Sequence, residues 1–185
     1  MINAQTNTQY DNSRSETLKP SLDATDFRAA MGSFLTGVAL ITTCHEGTKF
    51  GITVNSLTSV SMEPCQLLVC FNHNSAAANA IRERGMFVVN ILSAHHKDLA
   101  MCFARPSDTD RFTGISHSMN DHGLPVFEDA LCSVVCTLDQ TLISGDHEIF
   151  IGAAQSVVVN DREPLAYFRG SMDISLDRGL KGARS

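Results

Sequence analysis

Residues 37–71 read GVALITTCHEGTKFGITVNSLTSVSMEPCQLLVCF. Four strand-length runs lie in this stretch, at 37–43, 50–54, 58–61 and 66–71. Each is rich in β-branched or apolar residues. Only short polar turns separate them: His45–Lys49 with its glycine, and the turn around Glu63-Pro64. Strands that follow one another directly are not βαβ alternation, and they argue for an antiparallel barrel with helices on its outside or ends. A dinucleotide fold would need a strand, a G-x-G-x-x-G turn and a helix, and no such glycine motif occurs.

Upstream, Phe27, Ala30, Met31, Phe34 and Leu35 recur at helical spacing. That predicts a helix over 23–35 with one apolar face, capped by Asp23 or Thr25. Downstream, Ser75 is placed to cap an Ala-rich helix ending at Arg84, which Gly85 stops. Phe87–Leu92 reads as a strand, and Ser93 is placed to cap a helix through Phe103. Residues 104–130, with Pro106, Gly114, Gly123 and Pro125, form the longest irregular stretch, of the kind that often covers a site. Leu131–Ser144, Glu148–Val159 and Leu165–Phe168 read as strands. The sum is about eight strands and three helices, a mostly β chain. Residues 1–20 are rich in Asn, Thr, Ser and Gln and are expected to form a flexible tail. A single domain is expected over 21–175, with a second tail at 176–185.

Length fits one domain at 185 residues, and composition is globular, with 43% hydrophobic and 18% charged residues. The net charge is -6 and no three basic residues are consecutive, which argues against nucleic acid or an anionic membrane as partner. No apolar stretch reaches the roughly 18–20 residues that span a bilayer. The polar first twenty residues lack a secretory h-region, so the expected location is the cytoplasm. Six cysteines form no CxxC pair, and most lie in apolar runs, so they are expected reduced and buried. His95 and His96, adjacent on a predicted helix, are expected to point apart, and no metal site is expected.

Three polar clusters could carry chemistry. In Gly51–Ser61, six of eleven residues bear a hydroxyl or amide on strand-like sequence. Such neutral groups can grip a phosphate or the edge of a heterocycle, and they also suit a solvated edge strand. Phe71-Asn72-His73-Asn74-Ser75 leads into a predicted helix whose start could hold an anion or be a plain cap. In Ser144-Gly145-Asp146-His147 a turn places a histidine at a strand start, either toward a ligand or toward solvent.

Read in order, these segments resemble a known family. Phe27-Arg28-x-Ala30-Met31, Gly37-Val38-x-x-Ile41-Thr42-Thr43 and Gly51-Ile52-Thr53-x-Asn55-Ser56-x-x-Ser59-Val60-Ser61 are followed by Val88-Val89-Asn90-Ile91-Leu92, Gly145-Asp146-His147 and Pro164-Leu165-x-Tyr167-Phe168. Over about residues 25–172 the set is similar to the short-chain flavin reductases, the reductase components of two-component flavin monooxygenases. The resemblance implies an FMN-binding split barrel, an antiparallel Greek-key barrel with a few flanking helices, acting as a homodimer. It implies hydride transfer from NADH or NADPH to FMN or FAD, with reduced flavin passed to a separate monooxygenase. By the same resemblance Gly37, Thr53, Val54, Asn55, Ser56, Ser59 and Ser61 would bind the flavin. Phe71, Asn72 and Ser75 would line the same site, and His147 would act as the catalytic residue facing nicotinamide or flavin. The chemistry would belong to the two cofactors, stacked with their reacting atoms about 3–3.5 Å apart. The chain departs from the pattern at His73-Asn74, where many relatives carry a basic residue, and at Pro64-Cys65, where many have Pro-Pro. A protein of the same fold with tightly bound FMN (an oxidase, a ferric reductase or a non-catalytic flavin-binding module) remains the alternative.

Overall fold

The computed structural model describes residues 22–105 and 110–172. The tails expected at 1–20 and 176–185 lie outside the described residues. In chain order the elements are α1 (Ala24–Gly32), β1 (Thr36–Gly37), β2 (Ala39–His45), β3 (Thr48–Val54), β4 (Thr58–Met62), β5 (Cys65–Asn72), α2 (Ala76–Arg84) and β6 (Met86–Ile91). A 3₁₀ turn (Ala94–His96), α3 (Lys97–Phe103), β7 (Ser118–Met119), β8 (Pro125–Val126), β9 (Cys132–Ser144), β10 (His147–Val159) and β11 (Ala166–Tyr167) follow.

Seven strands form one antiparallel sheet in the order β3-β2-β6-β9-β10-β5-β4. The two edge strands, β3 and β4, are joined by Asn55–Leu57 alone. With antiparallel neighbours throughout, strands six places apart run in the same direction. The chain therefore continues forward from β3 into β4 and changes partner from β2 to β5. Three residues can link opposite edges only if the sheet curls until those edges meet, which makes a barrel split between β3 and β4. Ser56 fastens the split. Its hydroxyl accepts from the Cys70 N–H at 3.0 Å and donates to the Cys70 carbonyl at 3.2 Å.

The barrel interior is lined by alternate residues of every long strand, among them Ile41, Phe71, Phe87, Val89, Cys136 and Phe150. α2 adds Ala78 and Ile81 to this core. β2 is buried on both faces. Ala39 and Ile41 face the interior, while Val38 and Leu40 join a second core with Ala100 and Phe103 of α3, Phe112, Phe127 and Leu165. The irregular stretch after α3 thus covers the outer face of β2. Asn90 is wholly buried in β6, and four partners satisfy it. Its amide donates to the Leu40 carbonyl and the Thr42 hydroxyl, each at 3.1 Å. Its carbonyl accepts from Ser133 Oγ at 2.9 Å and Phe127 N at 3.3 Å.

Several local expectations match the structure. Asp23 caps α1 by accepting from Thr25 N at 2.6 Å, and that bond lowers its pKa. Gly85 ends α2 in the left-handed region, at φ 71°, with its N–H on the Ile81 carbonyl. Others are corrected. α1 stops at Gly32 and contains no buried residue: Phe27, Met31, Phe34 and Leu35 are all exposed. Ser93 is followed by a 3₁₀ turn before α3 begins. All six cysteines are free, but Cys65 and Cys102 are exposed and only Cys132 and Cys136 are buried. No helix among the described residues is long and apolar enough to cross a membrane.

Candidate functional site at the barrel rim

Asn72 ends β5 directly opposite His147, the first residue of β10. The His73 N–H bonds to the Asp146 carbonyl at 3.0 Å, and the Ser75 N–H to the Asn72 carbonyl at 3.1 Å. These two bonds fold the β5–α2 connection against the β9–β10 turn. Ser56, bonded to Cys70, lies two residues down β5 from Asn72, and Asn55 precedes it. Asn55, Ser56, Asn72, Ser75 and His147 are thereby gathered at one rim of the barrel.

Two of these side chains keep polar atoms uncommitted. Ser75 holds the N-cap position of α2, but its hydroxyl makes no capping bond. The expected cap is absent because the Ser75 side chain does not turn back onto the helix. A hydroxyl and the free N–H groups of a nine-residue helix therefore stand side by side, a combination suited to an anion. His147 is half-buried, and its Nδ1 lies 2.7 Å from Asp146 Oδ1. That bond, with the ring's charge when protonated, holds the Asp146 carboxyl below its usual range. It also fixes the ring so that Nε2 is presented to the rim, without a partner among the described residues. The amides of Asn55 and Asn72 are exposed there too.

Under the rim, Glu148 is buried next to His147. It pairs with His73 Nδ1 at 2.8 Å and with Arg82 of α2, whose guanidinium stacks over the Phe150 ring. This network clamps the last turn of α2 and the His73 loop onto β10. The sequence reading missed it, because Glu148 reads there as the opening residue of a strand. His73 is thus committed to Glu148 rather than standing where a basic phosphate ligand would be expected.

Other proposed site residues stand elsewhere. Phe71 is 1% exposed, with its ring edge-on to Phe150 at 4.9 Å between centroids, so its side chain belongs to the barrel core and cannot line a site. Thr53 gives its hydroxyl hydrogen to the Ala100 carbonyl of α3 at 2.8 Å, which turns it to the α3 side of β3. Val54 packs toward the interior. Ser61 accepts from Glu63 N at 3.2 Å within the turn, and exposed Ser59 is opposite Leu67. Ser59 is therefore about 17 Å along β5 from Asn72, at roughly 3.3 Å per residue. Gly37 lies two residues before Ala39, the partner of Val54, near the β3–β4 link. Cys70 is half-buried with its thiol pKa raised by burial, against the Ser56 bond, so it is no activated nucleophile. His95 and His96 do not diverge as expected: their ring centroids are 4.2 Å apart.

Comparison with known proteins gives this arrangement a context. The family described as flavin reductase like domain matches residues 31–174. The chain is 33% identical over 160 residues to the reductase component of 4-nitrophenol 4-monooxygenase/4-nitrocatechol 2-monooxygenase from Rhodococcus opacus, covering 86% of this chain and 85% of that one. It is 37% identical over 147 residues to the reductase component of flavin-dependent trigonelline monooxygenase from Acinetobacter baylyi. That match covers 79% of this chain, which spans about half (47%) of that relative. The NADH:FAD oxidoreductase of Streptomyces globisporus C-1027, solved with NAD and FAD fragments, superposes with a TM-score of 0.78 at 27% identity, over 84% of this chain and 95% of that one. A barrel split at β3/β4, and a family match running from α1 to the last described residues, lead to one conclusion: this chain belongs to the flavin reductase-like domain family.

Proposed function

We propose that the protein is an NAD(P)H:flavin oxidoreductase that carries hydride from NADH or NADPH to FMN or FAD and supplies the reduced flavin to a separate monooxygenase component. The observation that carries this reading is the pairing of an uncommitted Ser75 hydroxyl at the α2 N-terminus with an unpartnered His147 Nε2 across the β5–β10 register. The residues present fit a flavin nucleotide. Ser75 and the α2 N–H groups would hold its phosphate, while the exposed amides of Asn55 and Asn72 offer neutral donors and acceptors to its ring edge or chain. Bound flavin supplies the electron-accepting ring. The chain's own work is orientation: Asp146 fixes the His147 ring, and Nε2 is left to position a nicotinamide or to meet negative charge. No side chain needs to act as acid or base in a hydride step, which suits a rim whose free groups are mostly neutral.

A homodimer is part of this reading. Phe27 and Met31 on α1, Phe34 just after it, and Val157, Val158 and Val159 at the end of β10 are exposed apolar residues of the sort an interface covers. Six free thiols suit the reducing cytoplasm.

A steady-state assay crossing NADH and NADPH with FMN, FAD and riboflavin tests the activity. Oxidation of the nicotinamide that depends on added flavin is expected. His147→Ala should raise the nicotinamide KM, lower kcat, or both. Ser75→Ala should raise KM for FMN and leave riboflavin, which has no phosphate, unchanged. Absence of flavin-dependent NAD(P)H oxidation would refute the reading.

A further inference from the structure

Away from that rim, the segment after β6 and the loop before β9 bring together three metal-ligand side chains. His95 Nε2 is 3.0 Å from Asp129 Oδ2, and His96 Nε2 is 3.1 Å from Asp129 Oδ1. The candidate ligand atoms all lie within 4.8 Å of one another. Both rings turn onto Asp129 from the 3₁₀ turn, with their centroids 4.2 Å apart.

The hydrogen bonds behind the rings are arranged around one serine. Ser93 Oγ donates its hydrogen to the Asp129 carbonyl at 2.9 Å. Its lone pairs then face Nδ1 of His96 at 2.8 Å and Nδ1 of His95 at 3.3 Å. At 3.0 and 3.1 Å the Nε2–Oδ contacts are hydrogen bonds in which each ring's Nε2–H donates to Asp129, and the Ser93 N–H, 3.3 Å from His96 Nδ1, suits that tautomer. A cation would take the place of those two protons; with the ring proton on Nδ1 instead, each imidazole would donate to the Ser93 hydroxyl and leave its Nε2 lone pair for the ion. Histidine ligands of metal ions are oriented through their second nitrogen in just this manner.

We propose that His95, His96 and Asp129 bind one divalent first-row transition ion of the Zn²⁺, Co²⁺ or Ni²⁺ class. Imidazole and carboxylate suit these ions. Ligands held about 2.0–2.2 Å from a tetrahedral ion stand roughly 3.3–3.5 Å from one another, so candidate atoms that lie within 4.8 Å of one another would close around an ion by side-chain rotation alone, Asp129 reaching it through one or both oxygens. His96 and Asp129 also line a cavity of about 410 Å³, together with Leu99, Ser116, His117 and Phe127, which gives an entry path and room for a further ligand such as water. His117 is not a fourth protein ligand. Its Nδ1 faces the Ile115 carbonyl at 2.8 Å and its Nε2 faces Lys49 at 3.1 Å. The ion would tie the start of α3 to the loop that enters β9, so the role is structural linkage.

The test is a titration of the chelator-stripped full-length protein with Co²⁺, read by visible absorption, and with Zn²⁺, read by calorimetry. One saturable equivalent with an intense band of low-coordinate cobalt is expected. The band should vanish in His95→Ala, whose exposed side chain the fold does not need, and in Asp129→Ala. Ser93→Ala should weaken binding about 10–100-fold. Zn²⁺ at a hundred times its Kd should raise Tm by roughly 5–10 °C in the wild type and not in His95→Ala. No saturable binding, or one equivalent that survives both His95→Ala and Asp129→Ala, overturns the proposal. Other exposed histidines and cysteines would bind metal identically in wild type and variants.

Discussion

His96 ties its protonation to folding. Burial, the largest influence, outweighs the charge of Asp129 and lowers the ring's pKa from 6.5. Once the chain unfolds, the ring takes up its proton at the ordinary pH. As pH falls below about 6.5 the unfolded chain binds the proton first, so stability is lost on acidification and is complete above that range. In EDTA, the urea midpoint should fall between pH 7 and pH 5, and His96→Gln should flatten that part of the profile. The thiols obey the same burial logic. Burial pushes Cys136 up to about 12 and raises Cys132, so neither forms thiolate near neutrality. A thiol reagent at pH 8 should label Cys65 and Cys102 within minutes and reach Cys132 and Cys136 only on unfolding. Mass spectrometry of the labelled peptides would show it. Cysteines in apolar runs read alike in sequence. Cys65 opens an edge-side strand after a proline and Cys102 lies on the open face of α3, and neither placement is written locally.

At the scale of elements, strands were the most readable feature. Their period and their turn residues are local properties, and β2, β3, β5, β6, β9 and β10 all fall within a few residues of the reading. What the pattern hides is how they pair. β3 and β4 look like two arms of a meander, yet they run the same way and join opposite edges of the sheet. Gly152 is a second case: the β9–β10 register shifts between Ile151 and Gly152, and a Cβ there would lie 2.5 Å from the Phe87 ring and 3.0 Å from Cys136 Cβ. The Phe87 ring is fully buried and has little room to retreat. Gly152→Ala should cost about 1–3 kcal/mol in chemical denaturation.

For the whole molecule, the open question is which surfaces stay wet. The apolar residues of α1 and of the turn after it follow the helical spacing, but they do not pack on the core of the described residues. Phe27 is 55% exposed and Phe34 66%. Covering these residues requires a second surface, and a second copy of the chain is the proposed one. In sedimentation, Phe27→Ser with Phe34→Ser should shift dimer toward monomer while the barrel's far-ultraviolet spectrum persists. A native-like dimer in that double variant would move the interface elsewhere. The sequence alone determined the strand-rich class, the ends of α1 and α2 set by Asp23 and Gly85, and the ordered segments that point to the family, because propensity, capping and spacing act over a few residues. Only tertiary structure decided that Phe71 turns inward and that Thr53 faces α3. The same is true of Glu148 gripping Arg82 and His73, and of His95 and His96 sharing Asp129. Each of those depends on groups brought together by tertiary packing from segments as much as 79 residues apart (Phe71 and Phe150), a distance over which no local pattern carries information.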